Sequence, residues 1–260
     1  MREQIAVTIA AAMAVLITLP IDAGAAFDIG HATAITTNVS AAIDGQTATL
    51  ATGDTVYENQ EIVTDSNGIG EFIFRDDTRL AIGPGSTIVL DRFVYDSNGT
   101  VGQVAIGITR GALRFMTGTG PHDAYVITTP SATIGVRGTK FDVTVEGAAT
   151  SLALYEGGVR VCDTSGPQRR CTELSGQCRI IIAAPNADFR WVNNVYERTA
   201  LMDTVFPFAF SQSALRSEFR VDSRRCEVRE IRKRGNFTDS PERGGDSRGE
   251  QGEKGNSIRQ

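Results

Sequence analysis

The stretch that decides the fold is Ile127-Thr128-Thr129-Pro130-Ser131-Ala132-Thr133-Ile134-Gly135-Val136-Arg137-Gly138-Thr139-Lys140-Phe141-Asp142-Val143. Its second half runs on to Val145 in clean alternation, with Phe141, Val143 and Val145 on one side. That period of two marks a strand with one buried face. Gly135 and Gly138 bracket Val136-Arg137, and glycine inside a strand marks a corner or the close approach of another segment. Arg137 is then held where a guanidinium can clamp a carboxylate or carbonyls. It reads either as an internal clamp at a strand corner, the preferred reading, or as the anchor for a ligand.

The same texture extends outward, from about residue 44 to 184. Ile69-Gly70-Glu71-Phe72-Ile73-Phe74-Arg75 is rich in strand formers and meets an Asp76-Asp77 turn. Thr87 to Tyr95 is a second such run, ended by Asp96-Ser97-Asn98-Gly99. Leu152-Ala153-Leu154 and Val159-Arg160-Val161 flank Glu156-Gly157-Gly158, which predicts a tight reversal. No segment here has a helical period. Strands at intervals of roughly 8–12 residues predict an all-β sandwich, barrel or solenoid. The tetrad Asp-Ser-Asn-Gly occurs at 65–68 and again at 96–99. Neither copy continues into a calcium-ligand series, so both read as side-chain-capped turns.

Several of these pieces, taken in order, resemble the FecR-domain family. Gly53-Asp54-Thr55-Val56, Ile62-Val63-Thr64, Phe72 to Leu80, Gly85 to Asp91 and Arg110 to Phe115 come first. The Ala132–Val143 core and Glu156-Gly157-Gly158-Val159-Arg160-Val161, expected as a hairpin, follow. The residues that carry the motif are Gly135, Arg137, Gly138, Thr139, Phe141, Glu156 and Gly157. The resemblance implies a compact, solenoid-like β domain in the periplasm. It also implies a role in relaying envelope signals through protein contacts.

The N-terminus agrees with export. Met1-Arg2-Glu3-Gln4 precedes an apolar run from Ile5 to Leu19, then Pro20 and Ala23-Gly24-Ala25. This is the layout of a signal peptide, cleaved after Ala25 or Ala26. As a helix the run would reach about 22 Å, short of the ~30 Å hydrocarbon core. No lipobox and no later apolar run is present, so no transmembrane anchor is expected after cleavage. The predicted location is periplasmic or secreted. With only Met1–Gln4 ahead of the apolar run, the anti-sigma activity of the family's transmembrane regulators is not expected.

Charge and cysteines narrow the function. Residues 26–210 hold 13 Lys and Arg against 20 Asp and Glu, whereas residues 211–260 hold 12 against 9. An acidic body argues against a nucleic-acid partner. Four cysteines suit an oxidising compartment. Cys162–Cys171 across turn material and Cys178–Cys226 is the preferred pairing. No C-x-x-C pair and no nearby histidine points to zinc, and no cofactor is expected. No G-x-S-x-G, H-E-x-x-H or P-loop occurs, and His31 and His122 lie in terminal or turn-like surroundings. A catalytic carboxylate pair is the weakest reading.

The expected organisation is a signal peptide (1–25), a linker (26–43), the β domain (44–184), an extension (185–234) and a disordered tail (235–260). Within the extension, Leu215 and Phe219 are spaced for an amphipathic helix over 212–234. The expected function is a non-catalytic module that docks an envelope protein. The alternatives are a cell-wall or polysaccharide-binding component and a carbohydrate-active enzyme.

Overall fold

The computed structural model describes residues 26–95, 101–121, 123–164 and 169–227. The expected signal peptide, the second Asp-Ser-Asn-Gly tetrad, His122, Ser165-Gly166-Pro167 and the tail lie outside the described residues. The strands are β1 (Asp28–Thr36), β2 (Val39–Ile43), β3 (Gln46–Thr49), β4 (Thr55–Tyr57) and β5 (Gln60–Thr64). They continue with β6 (Ile69–Phe74), β7 (Arg79–Ile82), β8 (Thr87–Tyr95), β9 (Val101–Met116) and β10 (Tyr125–Thr128). The last are β11 (Ala132–Glu146), β12 (Ala149–Asp163), β13 (Cys171–Ser175), β14 (Arg179–Ala183) and β15 (Arg190–Trp191). One α-helix, α1 (Val195–Thr204), and 3-10 turns at Ser217–Phe219 and Arg224–Cys226 follow.

All 15 strands of the described residues join one hydrogen-bonded network, which folds over on itself because its three longest members change neighbours part-way. The first half of β9 pairs with β8 and β10, and its second half with β7 and β11. β12 pairs with β13 beyond Gly157 and with β14 before it. One layer is therefore built from β3, β2, β5 and β8, the first half of β9, β10, the first half of β11, the second half of β12, and β13. The other runs from β4 through β1, β6 and β7 to β14 and β15, with the remaining halves of the long strands.

Burial follows this division. From Val104 to Ile108 alternate residues of β9 are buried, whereas Ala112 to Met116 are all buried. The alternating layer has one face in water, whereas along β7 and the second halves of β9 and β11 both faces of the other layer are covered. Between the layers lies a single core that includes Ile62, Ile88, Ile106, Phe115, Phe141 and Leu152. The ring centroids of Phe115 and Phe141 are 5.5 Å apart.

Glycines make the changeovers possible. Gly111 has φ of 87°, and a Cβ there would stand 2.4 Å from the Ser86 Cα. Gly157 has φ of 82°, and a Cβ would meet the Gly138 oxygen at 2.1 Å. Only glycine combines that conformation with that approach. The reversal expected at Glu156-Gly157-Gly158 is thus a bend within one continuous strand, not a hairpin. β11 bends beside β12 at Gly138, so the two strands pair on both sides of the corner, with a register shift at it.

Two further expectations change. Residues 26–43 are not a linker, since β1 and β2 are integral to the two layers. The helix lies upstream of the predicted 212–234. Asn194 caps it, its Oδ1 accepting from the backbone N–H of Tyr196 at 2.9 Å and Glu197 at 3.1 Å. It ends just before Phe206-Pro207, where proline removes a backbone donor. Leu215 and Phe219 are buried, but in an irregular segment. The first Asp-Ser-Asn-Gly tetrad is a turn, with the Asp65 carboxylate accepting from the Asn67 N–H at 2.9 Å.

Candidate functional site

The doubly buried layer owes its second cover to the C-terminal extension, and the polar groups under that cover form the most developed side-chain cluster. Arg114 is fully buried. Its guanidinium makes a two-pronged bridge to Asp142, Nε to Oδ1 at 2.7 Å and Nη2 to Oδ2 at 2.8 Å. The register places Arg114 directly opposite Asp142 on neighbouring strands. The Tyr155 hydroxyl donates to Asp142 Oδ2 at 2.8 Å, and the Tyr155 ring lies 5.2 Å from the guanidinium carbon.

The remaining donors of Arg114 reach into residues 205–226, which cross this face as a strap. Nη2 donates to the Phe208 carbonyl at 2.8 Å, and Nη1 to Gln212 Oε1 at 2.7 Å and the Phe219 carbonyl at 3.3 Å. Gln212 in turn donates to the carbonyls of Ala209 and Val221 and accepts from the Val221 N–H. Around this centre the strap is apolar. Phe208, Leu215 and Phe219 pack with Ala81, and Phe206 and Met202 pack with Ala153, Tyr155 and Ile180. Thr144 Oγ1 donates to the Val205 carbonyl at 3.0 Å, and Glu71 accepts from the Arg216 N–H at 3.2 Å.

Electrostatics follow from burial. Desolvation works against the charge on Arg114, but the Asp142 carboxylate and its hydrogen bonds outweigh it and hold the guanidinium protonated. Burial, reinforced by the Asp142 charge, raises the Tyr155 hydroxyl well above the usual phenol range. Glu71 is also shifted up by burial, against the opposing pull of the Arg216 N–H.

A further buried carboxylate, Asp76, follows the C-terminal end of β6. It accepts from the Thr78 hydroxyl and the Tyr125 hydroxyl, both at 2.7 Å, while its backbone carbonyl accepts from the Thr119 N–H. Burial and the bond to Asp76 push the Tyr125 hydroxyl up to about 12. Asp76 therefore ties the β6–β7 turn to the β9–β10 connection and is not a solvated turn acid.

The predicted motif residues have dispersed roles. Phe141 is in the core, Thr139 is buried at the corner, and Gly138 and Gly157 form the corner itself. Gly135 has no close approach, since a Cβ there would meet nothing nearer than 3.9 Å. Glu156 faces Lys140 at 2.7 Å on the surface. Arg137 is not an internal clamp: its side chain is 60% exposed and 3.8 Å from Glu173. The clamp is Arg114. The sequence signal for it was present, an arginine inside Ala112-Leu113-Arg114-Phe115-Met116, where every neighbour is apolar.

Both disulfides pair as expected, Cys162 with Cys171 and Cys178 with Cys226. The second fastens the end of the strap to the sheet. Among the described residues, no group of three or more His, Cys, Asp or Glu is arranged to hold a metal. Among the same residues, no helix is long and apolar enough to cross a membrane.

Residues 60–160 match the family model described as FecR protein. Over that stretch the chain is similar to the FecR family. In the matched stretch lie β5 to β11 and most of β12, with Arg114, Asp142 and Tyr155, whereas their partners on the strap lie beyond it. Two crystal structures of a candidate anti-sigma factor from Parabacteroides distasonis are similar to the chain, at 19% and 18% identity and a TM-score of 0.40 each. Each likeness covers 52% of this chain and 59% of the other, so the chain spans about three fifths of those proteins. No curated protein matches.

Proposed function

We propose that this FecR-domain protein is an exported, non-catalytic module that relays an envelope signal by contact with another envelope protein. The observation that carries the reading is the FecR match over residues 60–160. The chemistry of the acids supports it. Asp142, Asp76 and Glu71 are the buried carboxylates most open to a catalytic reading, and each is spent on an arginine, on hydroxyls or on a backbone N–H. A general acid or base needs a free position facing substrate, and these three face the protein's own chain.

Export is supported by the apolar N-terminal run with its small-residue site and by two disulfides. Contact with the partner uses strand edges and loops, where unpaired N–H and C=O groups accept an added strand. The test is crosslinking in cells followed by recovery of the tagged chain. One dominant envelope protein is the expected product, and recovery of nothing above background overturns the reading.

A further inference from the structure

The four strands that end the two layers differ in how their free edges are protected. β4 is three residues long, with Val56 in the core. β15 is two residues long, and Arg190 within it is engaged by Glu197. β13 is tied to β12 by Cys162–Cys171 and carries Glu173. β3, Gln46-Thr47-Ala48-Thr49, has none of these devices. Among the described residues it pairs only with β2, and all four of its residues are exposed. Ala48 lies opposite Ala41, a core residue, yet is itself exposed. No charge, proline or bulge interrupts this strand, and such an edge is a template for another strand.

The hairpin geometry settles which groups point outward. Asp44 and Gly45 form a two-residue loop with φ of 51° and 76°, so Ile43 and Gln46 form the hydrogen-bonded pair that closes it. The Leu50 N–H turns to the Val39 carbonyl at 2.8 Å. By alternation Gln46, Ala48 and Leu50 address β2, and the N–H and C=O of Thr47 and Thr49 face away from it.

We propose that β3 is a self-association edge, pairing antiparallel with β3 of a second copy about a twofold axis normal to the sheet. Such an axis keeps each face on its own side, so residues of like face must oppose one another. Thr47 then stands opposite Thr49 of the second copy, and Thr49 opposite its Thr47. Each of these two pairs exchanges two hydrogen bonds. Ala48 meets Ala48 of the second copy at the central, closer-spaced pair, where a small side chain fits. The palindromic run Thr47-Ala48-Thr49 sets like residues opposite like in a copy, and charge leaves this edge open to one. Residues 26–210 are acidic overall, 20 Asp and Glu against 13 Lys and Arg, yet no charged residue lies between Asp44 and Asp54. Two acidic bodies meet there without like charges in opposition. The contact is one four-residue strand pair, small against the ~1,200 Å² of a stable interface, so the dimer is weak.

The test is sedimentation velocity on exported protein over a concentration series, with Thr49→Lys and Ala48→Cys variants. Thr49 is exposed, and circular dichroism checks that each variant keeps its fold. The expected results are a concentration-dependent dimer, at least tenfold weakened by Thr49→Lys, and a disulfide-linked dimer of Ala48→Cys on oxidation. Gln103→Cys, exposed away from β3, should stay monomeric under the same oxidation. A chain that remains monomeric to about 1 mM, or a dimer indifferent to Thr49→Lys, overturns the proposal. So does a chain that is monomeric alone and holds a different envelope protein at β3. The purified chain is measured by itself, so failure here leaves the crosslinking result above untouched.

Discussion

Removing the Arg114 guanidinium should undo the strap. In Arg114→Met the Asp142 carboxylate stays buried with only the Tyr155 hydroxyl as an identified donor, and the Phe208 and Phe219 carbonyls and Gln212 Oε1 lose the donor they share. Breaking a buried ion pair on one side costs about 3–5 kcal/mol. For a domain of this size each kcal/mol moves the midpoint about 2–4 °C, so a fall of about 6–20 °C is expected. Asp142→Leu should cost a similar amount. The double variant should cost less than the sum by about 2 kcal/mol or more, because neither charge is then left unpaired. Denaturant unfolding at 25 °C gives the cycle, and hydrogen exchange over residues 205–226 locates the effect. A loss below about 1 kcal/mol for Arg114→Met, or strict additivity, would show that Phe206, Phe208 and Phe219 hold the strap without the ion pair.

The other expectations test single features. Gly157→Ala places a Cβ 2.1 Å from the Gly138 oxygen at positive φ and should cost more than about 2 kcal/mol, whereas Gly135→Ala should stay within about 0.5 kcal/mol; matched urea melts decide. Glu71 is raised by burial, so its protonated form favours the fold. That contribution is complete below the unfolded carboxylate range and is lost as pH rises through the higher folded value. Glu71→Gln should therefore gain on the parent chain as thermal melts move from pH 4 to pH 8, and a constant difference would refute the assignment. Paired Cys178→Ser and Cys226→Ser changes reopen a loop with a sequence separation of 48. They should cost about 4 kcal/mol in the loop-entropy account and speed exchange in the strap; an unchanged exchange pattern would mean that the disulfide does not fasten it.

Much of the fold could be read along the chain. Alternation at Phe141, Val143 and Val145, turn residues at Asp65–Gly68 and the glycines of the corner are local signals with local causes. What misled at Glu156-Gly157-Gly158 was that glycine with positive φ serves a hairpin and a bend equally well. Only the partner strand distinguishes them, because β11 and β12 stay paired on both sides of Gly157. Residues 28–43 were similarly opaque. Their Ala- and Thr-rich runs alternate weakly, and they become strands because β5 and β6 offer edges to pair with.

The sequence by itself determined that this is a β protein with glycine corners and paired cysteines, since the strand and turn signals depend on residues close together in the chain. The tertiary structure alone decided which arginine is the clamp. Arg137 and Arg114 both sit in strands, but exposure depends on what covers the strand's second face. The strap, about a hundred residues further along, lies over Arg114 and leaves Arg137 in water. The same long-range covering turned Glu71 from a surface acid into a buried one. Burial on a second face is a property of the docked chain, and no local pattern encodes it.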